Sequence, residues 1–269
     1  MKSFWSFENR YWITGKLRAK TALSVGSRAS LMPAGSDLPV IKTPEGLPFI
    51  PGSSLKGAVR AYVERLARTL EELGKQINGS HIKACDPLDE DKRCITSQQK
   101  EKIAEENKPE NEFTAALWER SCTVCRLFGS PWLASRVSFQ DAMLSNGDSL
   151  VRLTEVRDGV GIDRDLGTAR TGIKFDFETV PPGAEFALRI VLENVEDWEV
   201  GLLLVALEAL GQGQLALGGK TTRGLGWMEF ADLQVQGLSA KDLLDYLAGQ
   251  AMPSLPPARF RQALLEGLK

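Results

Sequence analysis

The strongest constraint on the fold is the order of two helix-patterned segments among segments whose polarity alternates. Residues 53–73 repeat apolar side chains at spacings of three and four, and residues 196–210 do the same, which predicts two amphipathic helices. Alternation that is typical of half-buried strands comes before, between and after them. The alternating segments are residues 13–25, 136–144, 186–192 and 227–235. Helices placed between antiparallel strands in this way predict an α+β fold built on a ferredoxin-like sheet.

The composition excludes several classes of protein. The chain has 269 residues, 43% of them hydrophobic, and a net charge of −2, as expected for a globular domain without a general basic field. The longest apolar run, VGLLLVALEALG, contains Glu208 and is too short to cross a membrane, and the N-terminus has no signal-peptide core. We therefore expect no membrane partner and a cytoplasmic location. The single histidine, His81, argues against a Ser-His-Asp triad.

The first alternating segment carries a row of cations. Lys16, Arg18 and Lys20 share one face, opposite the apolar face that includes Ile13 and Leu17. Sheets of this kind often bind RNA on one face. The row is either such a contact or an ordinary solvated strand face, and the sequence leaves both open.

The first predicted helix begins with residues suited to an anion. Ser53 or Ser54 is the expected N-cap. Lys56 and Arg60 are four residues apart on one face, near the helix N-terminus, where backbone N–H groups also favour anions. An acidic residue is the usual choice in a first turn, so Lys56 points to an anionic partner.

A second group of cations lies in the glycine-rich stretch GQGQLALGGKTTRGLGWMEF. A Walker A loop would need glycine where Gln214 stands, and a strand pattern instead of a helix follows, so no nucleotide triphosphate site is predicted. Gly218 and Gly219 can still bring the backbone close to a phosphate beside Lys220 and Arg223. The alternative is a glycine-rich hairpin with two solvated cations.

All four cysteines lie within 41 residues of the chain. Four thiolates in two pairs, one of them C-x₂-C, are typical of a tetrahedral structural zinc site. Residues 74–121 are polar and poor in large apolar side chains, so we interpret them as an insertion in which metal binding replaces missing burial. His81 is a spare ligand that could replace Cys85, and free core thiols or disulfides are the alternatives to zinc. The expected ligands are Cys85, Cys94, Cys122 and Cys125.

Residues 151–195 are predicted to form a long hairpin. Its tip, DGVGIDRDLGTARTG, is rich in glycine and in charges of both signs. Its return strand is expected at residues 186–192, where apolar side chains alternate. Two short helices are expected in the C-terminal segment, residues 239–269.

Five motifs occur in a specific order: GSDLPVIKTPEGLPFIPGSSLKGAVR, CRLFGSPWLASRVSFQDA, GIDRDLGTARTG, VPPGAEF and LGGKTTRGLG. Together they resemble the RAMP superfamily of CRISPR-associated proteins. More narrowly, they resemble the backbone subunit of type III effector complexes. Each motif is weak alone, whereas the ordered set is specific and covers about residues 13–235.

The resemblance implies a ferredoxin-like, RRM-related palm formed by residues 1–73 and 126–238. A thumb hairpin at about residues 151–185 would wedge into the duplex of guide RNA (crRNA) and target RNA. The zinc-binding insertion of some members matches residues 74–125. Copies of the subunit, or related RAMP subunits, would stack in a filament with other type III complex subunits. The candidates for RNA contact in the thumb are Arg164 and Arg170.

The resemblance also assigns guide RNA contacts to both groups of cations. Such contacts position a phosphate backbone and read no sequence, which suits a protein whose guide changes. The residues concerned are Ser53, Ser54, Lys56, Arg60, Gly218, Gly219, Lys220, Thr222 and Arg223.

The cleaving members of the family carry an aspartate in the loop after the first strand, and the matching residue is Asp37 in GSDLPVIK. It would act with Mg²⁺ or Mn²⁺, because a carboxylate suits these oxygen-preferring ions. Without the resemblance, a loop aspartate that caps a turn is the alternative. The predicted function is therefore guide-directed cleavage of target RNA, and the alternative is a non-catalytic guide-binding subunit. A guide-maturation nuclease of the same superfamily is a weaker alternative, because such enzymes commonly rely on histidine. The one histidine of this chain, His81, falls among the cysteines.

Overall fold

The computed structural model describes residues 4–26, 36–106 and 110–269. Residues 1–3 and 27–35 of the predicted palm and residues 107–109 of the predicted insertion lie outside the described residues. The strands are β1 Asn9–Ala19, β2 Phe49–Ile50, β3 Gln76–Ile77, β4 Ser80–His81, β5 Val137–Phe139, β6 Ala142–Met143, β7 Glu155–Ile162, β8 Ala169–Thr179, β9 Glu185–Glu193, β10 Met228–Ser239 and β11 Ser254–Leu255. The helices are α1 Gly52–Glu72, α2 Ser97–Glu106, α3 Glu110–Arg120, α4 Thr123–Phe128, α5 Asp197–Gly211, α6 Leu243–Leu247 and α7 Pro257–Gly267.

A five-stranded antiparallel sheet forms the centre of the fold, in the order β11-β10-β1-β9-β5. Its middle strand, β1, pairs with β9 on one side and with β10 on the other. Along the chain, β1, α1, β5, β9, α5 and β10 follow a β-α-β-β-α-β order. The predicted mixture of helices with a central antiparallel sheet is confirmed, and the order is compatible with a ferredoxin-like palm.

The main core lies between this sheet and the helices. Alternate residues of the central strands, such as Ile13 and Ile190, are fully buried there with Val59 of α1. α5 contacts both α1 and α7, which buries most of its surface. A Cβ at Gly201 of α5 would lie 2.2 Å from the carbonyl oxygen of Phe260, so the close approach of α7 requires glycine there.

The first strand has the predicted alternation but different ends. It begins at Asn9 and ends at Ala19, and the chain then leaves the sheet, where Leu23 forms an isolated bridge with Val180. Its basic row is exposed but paired with acids of the neighbouring strands. Lys16 binds Glu185 at 3.2 Å, and Arg18 and Lys20 lie 3.7 and 3.4 Å from Glu229. These ion pairs favour the solvated-face interpretation of the row.

The long hairpin consists of β7 and β8, which form a separate two-stranded sheet. The predicted return strand at residues 186–192 is wrong for this hairpin, because those residues belong to β9 and pair with β1. A turn through Pro182 and Gly183 separates β8 from β9. Alternation indicates a strand with one buried face but does not identify its partner.

The segment between β4 and α4 has a small core of its own. It contains α2 and α3, and its buried residues form a cluster apart from the main core. By contrast, Ile82, directly after β4, packs in the main core, as does Ile77 of β3. The residues of the small cluster are Ile95, Ile103 and Leu117.

The two helices expected in the C-terminal segment are present, with a short edge strand between them. Ser239 ends β10, β11 adds an edge strand, and α6 and α7 are the two helices. Lys269 exchanges backbone hydrogen bonds of 3.0 and 3.1 Å with Gln76. Within the described ranges, every helix is too short or too polar to span a membrane.

Candidate functional site

The four cysteines meet at the start of α4. Their Sγ atoms all lie within 4.8 Å of one another, and those of Cys85 and Cys125 are 3.5 Å apart. The four thiols are free, which removes the disulfide alternative. With Zn–S bonds of about 2.3 Å, a tetrahedral zinc ion places its sulfur ligands about 3.8 Å apart. The four cysteines therefore lie within metal-binding distance, at a spacing that fits zinc.

The backbone at the start of α4 supports thiolate ligands. Cys122 is the N-cap residue, and its Sγ accepts a hydrogen bond of 3.4 Å from the N–H of Cys125. Hydrogen bonding from Cys125 lowers the pKa of the Cys122 thiol, whereas hydrogen bonding to Cys122 raises that of Cys125. His81 lies outside the thiol group and is exposed, so this geometry does not support its replacing Cys85.

Arg60 connects helix α1 to the thiol group. Its Nε donates to Glu64 at 2.8 Å, and its Nη1 donates to the carbonyl oxygen of Gly129 at 3.0 Å. Its Nη2 lies 3.6 Å from the Sγ of Cys125. Arg60 therefore has partners within the protein at each of its three guanidinium nitrogens, including a sulfur of the cluster.

The first turn of α1 differs from the prediction. Pro51 is the N-cap residue, so Ser53 and Ser54 lie inside the helix, and neither is the cap. Lys56, the fifth residue of α1, donates from Nζ to Oγ of Ser135 at 2.9 Å. Burial, and then the charge of Arg60, lower the pKa of Lys56.

Asp37 lies beside the hairpin strand β8. Its N–H donates to Oδ1 of Asp176 at 2.7 Å, and the N–H of Asp176 donates to Oδ2 of Asp37 at 3.0 Å. Leu38 then forms a parallel bridge with Phe177. The hydrogen bond from the Asp37 N–H is the main reason why the pKa of Asp176 is below its usual range. Asp37 is thus an exposed carboxylate that is held against the hairpin.

The glycine-rich loop packs against the segment that follows β1. The N–H of Gly219 donates to the carbonyl of Ser24 at 2.8 Å, and that of Gly226 donates to the carbonyl of Ala22 at 2.9 Å. A Cβ at Gly218 would lie 2.5 Å from the Ser24 carbonyl oxygen. These glycines allow close packing of the protein's own backbone, and the N–H of Gly219, which was expected close to a phosphate, donates to Ser24.

Lys220 leaves this loop toward the hairpin. Its Nζ lies 4.2 Å from the centre of the Phe177 ring, within the range of a cation–π contact. Burial, and then the charge of Arg223, lower the pKa of Lys220. Since Phe177 follows Asp176, β8 brings Lys220 and Asp37 to the same end of the hairpin. The exposed polar residues next to Lys220 are Thr222 and Arg223.

The rest of the hairpin presents apolar and basic side chains. On one face, Phe175 lies over Gly159, where a Cβ would come within 2.4 Å of the ring. Ile173 lies over Gly161 in the same way and is 45% exposed. Both predicted RNA-contacting arginines are exposed near the tip. They are Arg164 and Arg170.

The part of β8 that meets the Asp37 segment is not among the sites predicted from the sequence. Glu178 is buried, and its carboxylate accepts the N–H of Val40 at 3.1 Å and Nζ of Lys42 at 2.5 Å. The stretch KFDFET alternates, which could have indicated a strand with acidic residues on one face. Nothing in that pattern identifies the segment that the acids bind.

Comparison with known proteins identifies the family. The family model of the RAMP superfamily matches residues 16–229. A protein of Methanothermobacter thermautotrophicus named "CRISPR system Cms endoribonuclease Csm3" is 28% identical over 270 residues, which cover 91% of each chain. Proteins of the same name from Mycobacterium tuberculosis and Streptococcus thermophilus are 27% and 29% identical, covering 83% and 82% of this chain and 87% of each relative. Because the family model spans most of its length, the chain belongs to the RAMP superfamily.

Proposed function

We propose that this chain is a backbone subunit of a type III CRISPR ribonucleoprotein, where it binds guide RNA and cleaves complementary target RNA at Asp37. The observation that carries the proposal is that neighbouring residues of β8 hold an exposed carboxylate and a cation near one end of the hairpin. Asp37 hydrogen-bonds Asp176, and Lys220 lies over the adjacent Phe177. The relatives named as CRISPR endoribonucleases support the same activity.

Guide binding would rest on phosphate contacts. Lys220, Thr222 and Arg223 lie in one short turn beside the hairpin, and Ser53 and Lys56 lie within the first five residues of α1. Such contacts hold the RNA backbone, while base pairing with the guide selects the target. The remaining contacts in this proposal are Ser54, Gly218, Arg164 and Arg170, together with Arg60 and Gly219, which would first have to give up their partners within the protein.

The chemistry of cleavage would need a divalent ion. Mg²⁺ or Mn²⁺ prefers oxygen ligands, and Asp37 offers a carboxylate whose direction is set by the Asp176 N–H. When bound, the ion would stabilise the negative charge that develops on the phosphate. Lys220, which lies over Phe177 of the same strand, would attract the RNA backbone to this end of the hairpin, which favours cleavage at a fixed distance from it.

We also propose that Cys85, Cys94, Cys122 and Cys125 hold a structural zinc ion. Four ligands leave no open position for water, so the ion would serve folding and not catalysis. The small separate core of this segment supports a folding role, because three buried side chains provide little apolar burial.

One observation favours the alternative of a non-catalytic backbone subunit. Asp37 and Asp176 accept each other's backbone N–H groups, so Asp37 already has the role of a carboxylate that orders a loop. In that case the chain would bind guide RNA, copies of itself and other type III subunits without cutting the target.

A cleavage assay on the reconstituted complex separates the two functions. The complex is assembled with guide RNA and given labelled complementary target with Mg²⁺ or Mn²⁺, and the single-turnover rate is measured for wild type and Asp37→Ala. We expect the variant to lose roughly 100-fold or more in rate, as for removal of a transition-state stabilising group, with target affinity unchanged. Asp245→Ala, at an exposed position on α6, is the matched control.

Two results would contradict the proposal. Equal cleavage by wild type and Asp37→Ala would show that another group cuts the target. A wild-type complex that binds target without cutting it would support the non-catalytic alternative.

A further inference from the structure

Two acidic side chains of strand β8 bind the segment that carries Asp37. Asp176 and Glu178 are two residues apart, so their side chains leave the strand on the same face. Asp176 binds the start of the segment, and Glu178 binds it three and five residues farther on, at Val40 and Lys42. The segment is therefore held at two points by one strand of the hairpin.

The contact with Asp176 is reciprocal. The N–H of Asp37 donates to Oδ1 of Asp176 at 2.7 Å, and the N–H of Asp176 donates to Oδ2 of Asp37 at 3.0 Å. The second bond ends on the Asp37 carboxylate itself. This pair of hydrogen bonds therefore fixes the direction of the carboxylate as well as the position of the backbone. Hydrogen bonds to ionised groups are short and strong compared with neutral ones.

Glu178 provides a second anchor that is less accessible to water, with 8% of its surface exposed. Its Oε2 accepts the N–H of Val40 at 3.1 Å, and its Oε1 accepts Nζ of Lys42 at 2.5 Å. Its own N–H donates to the carbonyl of Leu38 at 3.0 Å. The segment cannot slide along β8 without breaking these bonds, so the register between Asp37 and the hairpin is fixed.

On the basis of the function proposed above, we propose that Asp176 is a positioning residue for target RNA cleavage. It keeps the Asp37 carboxylate in register with β8, the strand that also carries Phe177, Phe175 and Ile173 toward the hairpin tip. RNA that packs against the hairpin is thereby placed at a set distance from Asp37. Such placement matters because a displacement of about 1 Å can cost roughly 100-fold in rate.

Two substitutions separate positioning from charge. Asp176→Ala removes the acceptor of the Asp37 N–H, whereas Asp176→Asn keeps a side-chain oxygen there and removes the charge. In the assembled complex we expect Asp176→Ala to lower the single-turnover rate at saturating target by roughly tenfold or more, with target affinity unchanged. Asp176→Asn should recover most of the rate.

A second measurement follows the segment itself. Hydrogen exchange by mass spectrometry should show faster exchange at Asp37 and Val40 in Asp176→Ala and near wild-type exchange in Asp176→Asn. The matched control is Asp158→Ala. Asp158 pairs directly with Asp176 across the hairpin and binds Lys174 at 3.1 Å. We expect its removal to change neither the cleavage rate nor the exchange of the segment.

The results distinguish failure of this role from failure of the proposed function. If Asp37→Ala abolishes cleavage and Asp176→Ala leaves it unchanged, the positioning role is overturned alone. It is also overturned if Asp176→Asn is as slow as Asp176→Ala while exchange stays normal, because the charge then matters and the hydrogen bond does not. A wild-type complex that binds target without cutting it overturns the proposed function and this role together.

Discussion

The two groups of cations that the sequence assigns to guide RNA have different surroundings in the fold. Arg60, in the first half of α1, has protein partners at its three guanidinium nitrogens, and one of these partners is the sulfur of Cys125. Lys220, in the glycine-rich loop, lies over the ring of Phe177 and has exposed neighbours. One cation is directed toward the four-cysteine cluster, and the other is directed toward the hairpin.

The difference shows that the spacing of cations does not determine their role. Lys56 and Arg60 are four residues apart on one helix face, which is also the spacing expected of a phosphate clamp. Lys56 and Arg60 differ from Lys220 because the folded protein supplies oxygen atoms that accept their hydrogen bonds, whereas Lys220 lies over an aromatic ring. A guanidinium with a carboxylate, a carbonyl and a cysteine sulfur as partners contributes to stability, and it would have to give up those bonds to reach RNA.

Of the substitutions that test this comparison, the removal of two thiols should have the largest effect on the protein. In Cys122→Ser with Cys125→Ser, the chain should lose zinc and Arg60 should lose its sulfur partner. Structural zinc binds zinc-finger peptides with an apparent free energy on the order of 10 kcal/mol, so a marked loss of stability is expected. Metal content by mass spectrometry and thermal unfolding by circular dichroism measure the two effects.

His81→Ala is the matched control for the double cysteine variant, because His81 lies near the cluster but outside the thiol group. It should keep about one zinc ion per chain, as expected for a four-cysteine site. Loss of zinc in His81→Ala, or full zinc content in the double variant, would refute the four-cysteine assignment.

Single substitutions of Arg60 and Lys56 sharpen the comparison within α1. Arg60→Ala should reduce stability by about 2 kcal/mol through its lost charged hydrogen bonds, and zinc affinity by roughly tenfold through the lost contact with Cys125. Lys56→Ala should leave zinc affinity unchanged and weaken guide binding. The slope of log affinity against log salt concentration should become shallower by about one. Chelator competition measures zinc affinity, and filter binding at several salt concentrations measures guide affinity.

The two variants serve as controls for each other, because each removes one cation from the same helix. If both weaken guide binding equally and neither affects zinc, α1 forms the phosphate clamp that the sequence predicts. If guide affinity is unchanged in both, the guide contacts lie elsewhere, and the glycine-rich loop becomes the main candidate.

The sequence predicts individual elements better than it predicts their partners. The alternation of Ile13 and Leu17 and the clustering of four cysteines are local patterns, and the structure contains both the strand and the thiol group. The pairing of β9 with β1, where a hairpin was expected, depends on contacts distant in sequence. The same holds for the binding of the Asp37 segment by Asp176 and Glu178, since a β-strand pattern defines its two faces but not what covers them.

Substitutions of Lys220 test the second group of cations, in the glycine-rich loop, and should have the smallest effect. Lys220 has a left-handed backbone, with φ of 58°, which costs a non-glycine residue about 1 kcal/mol or more. Lys220→Ala and Lys220→Gly both remove the charge and the contact with Phe177, but only glycine relieves the backbone strain. Both should weaken guide binding and make the slope of log affinity against log salt concentration shallower by about one. In chemical denaturation, the glycine variant should be more stable than the alanine variant by about 1 kcal/mol.

The comparison between the two Lys220 variants separates RNA binding from the conformation of the loop. If guide affinity falls equally in both while their stabilities differ, the charge binds RNA and the backbone strain is a separate cost. If affinity falls only in the glycine variant, the shape of the loop matters more than the charge, and Lys220 would not be the phosphate contact proposed here. Lys241→Ala is the matched control, because Lys241 is an exposed lysine in a short turn after β10 and should change neither quantity.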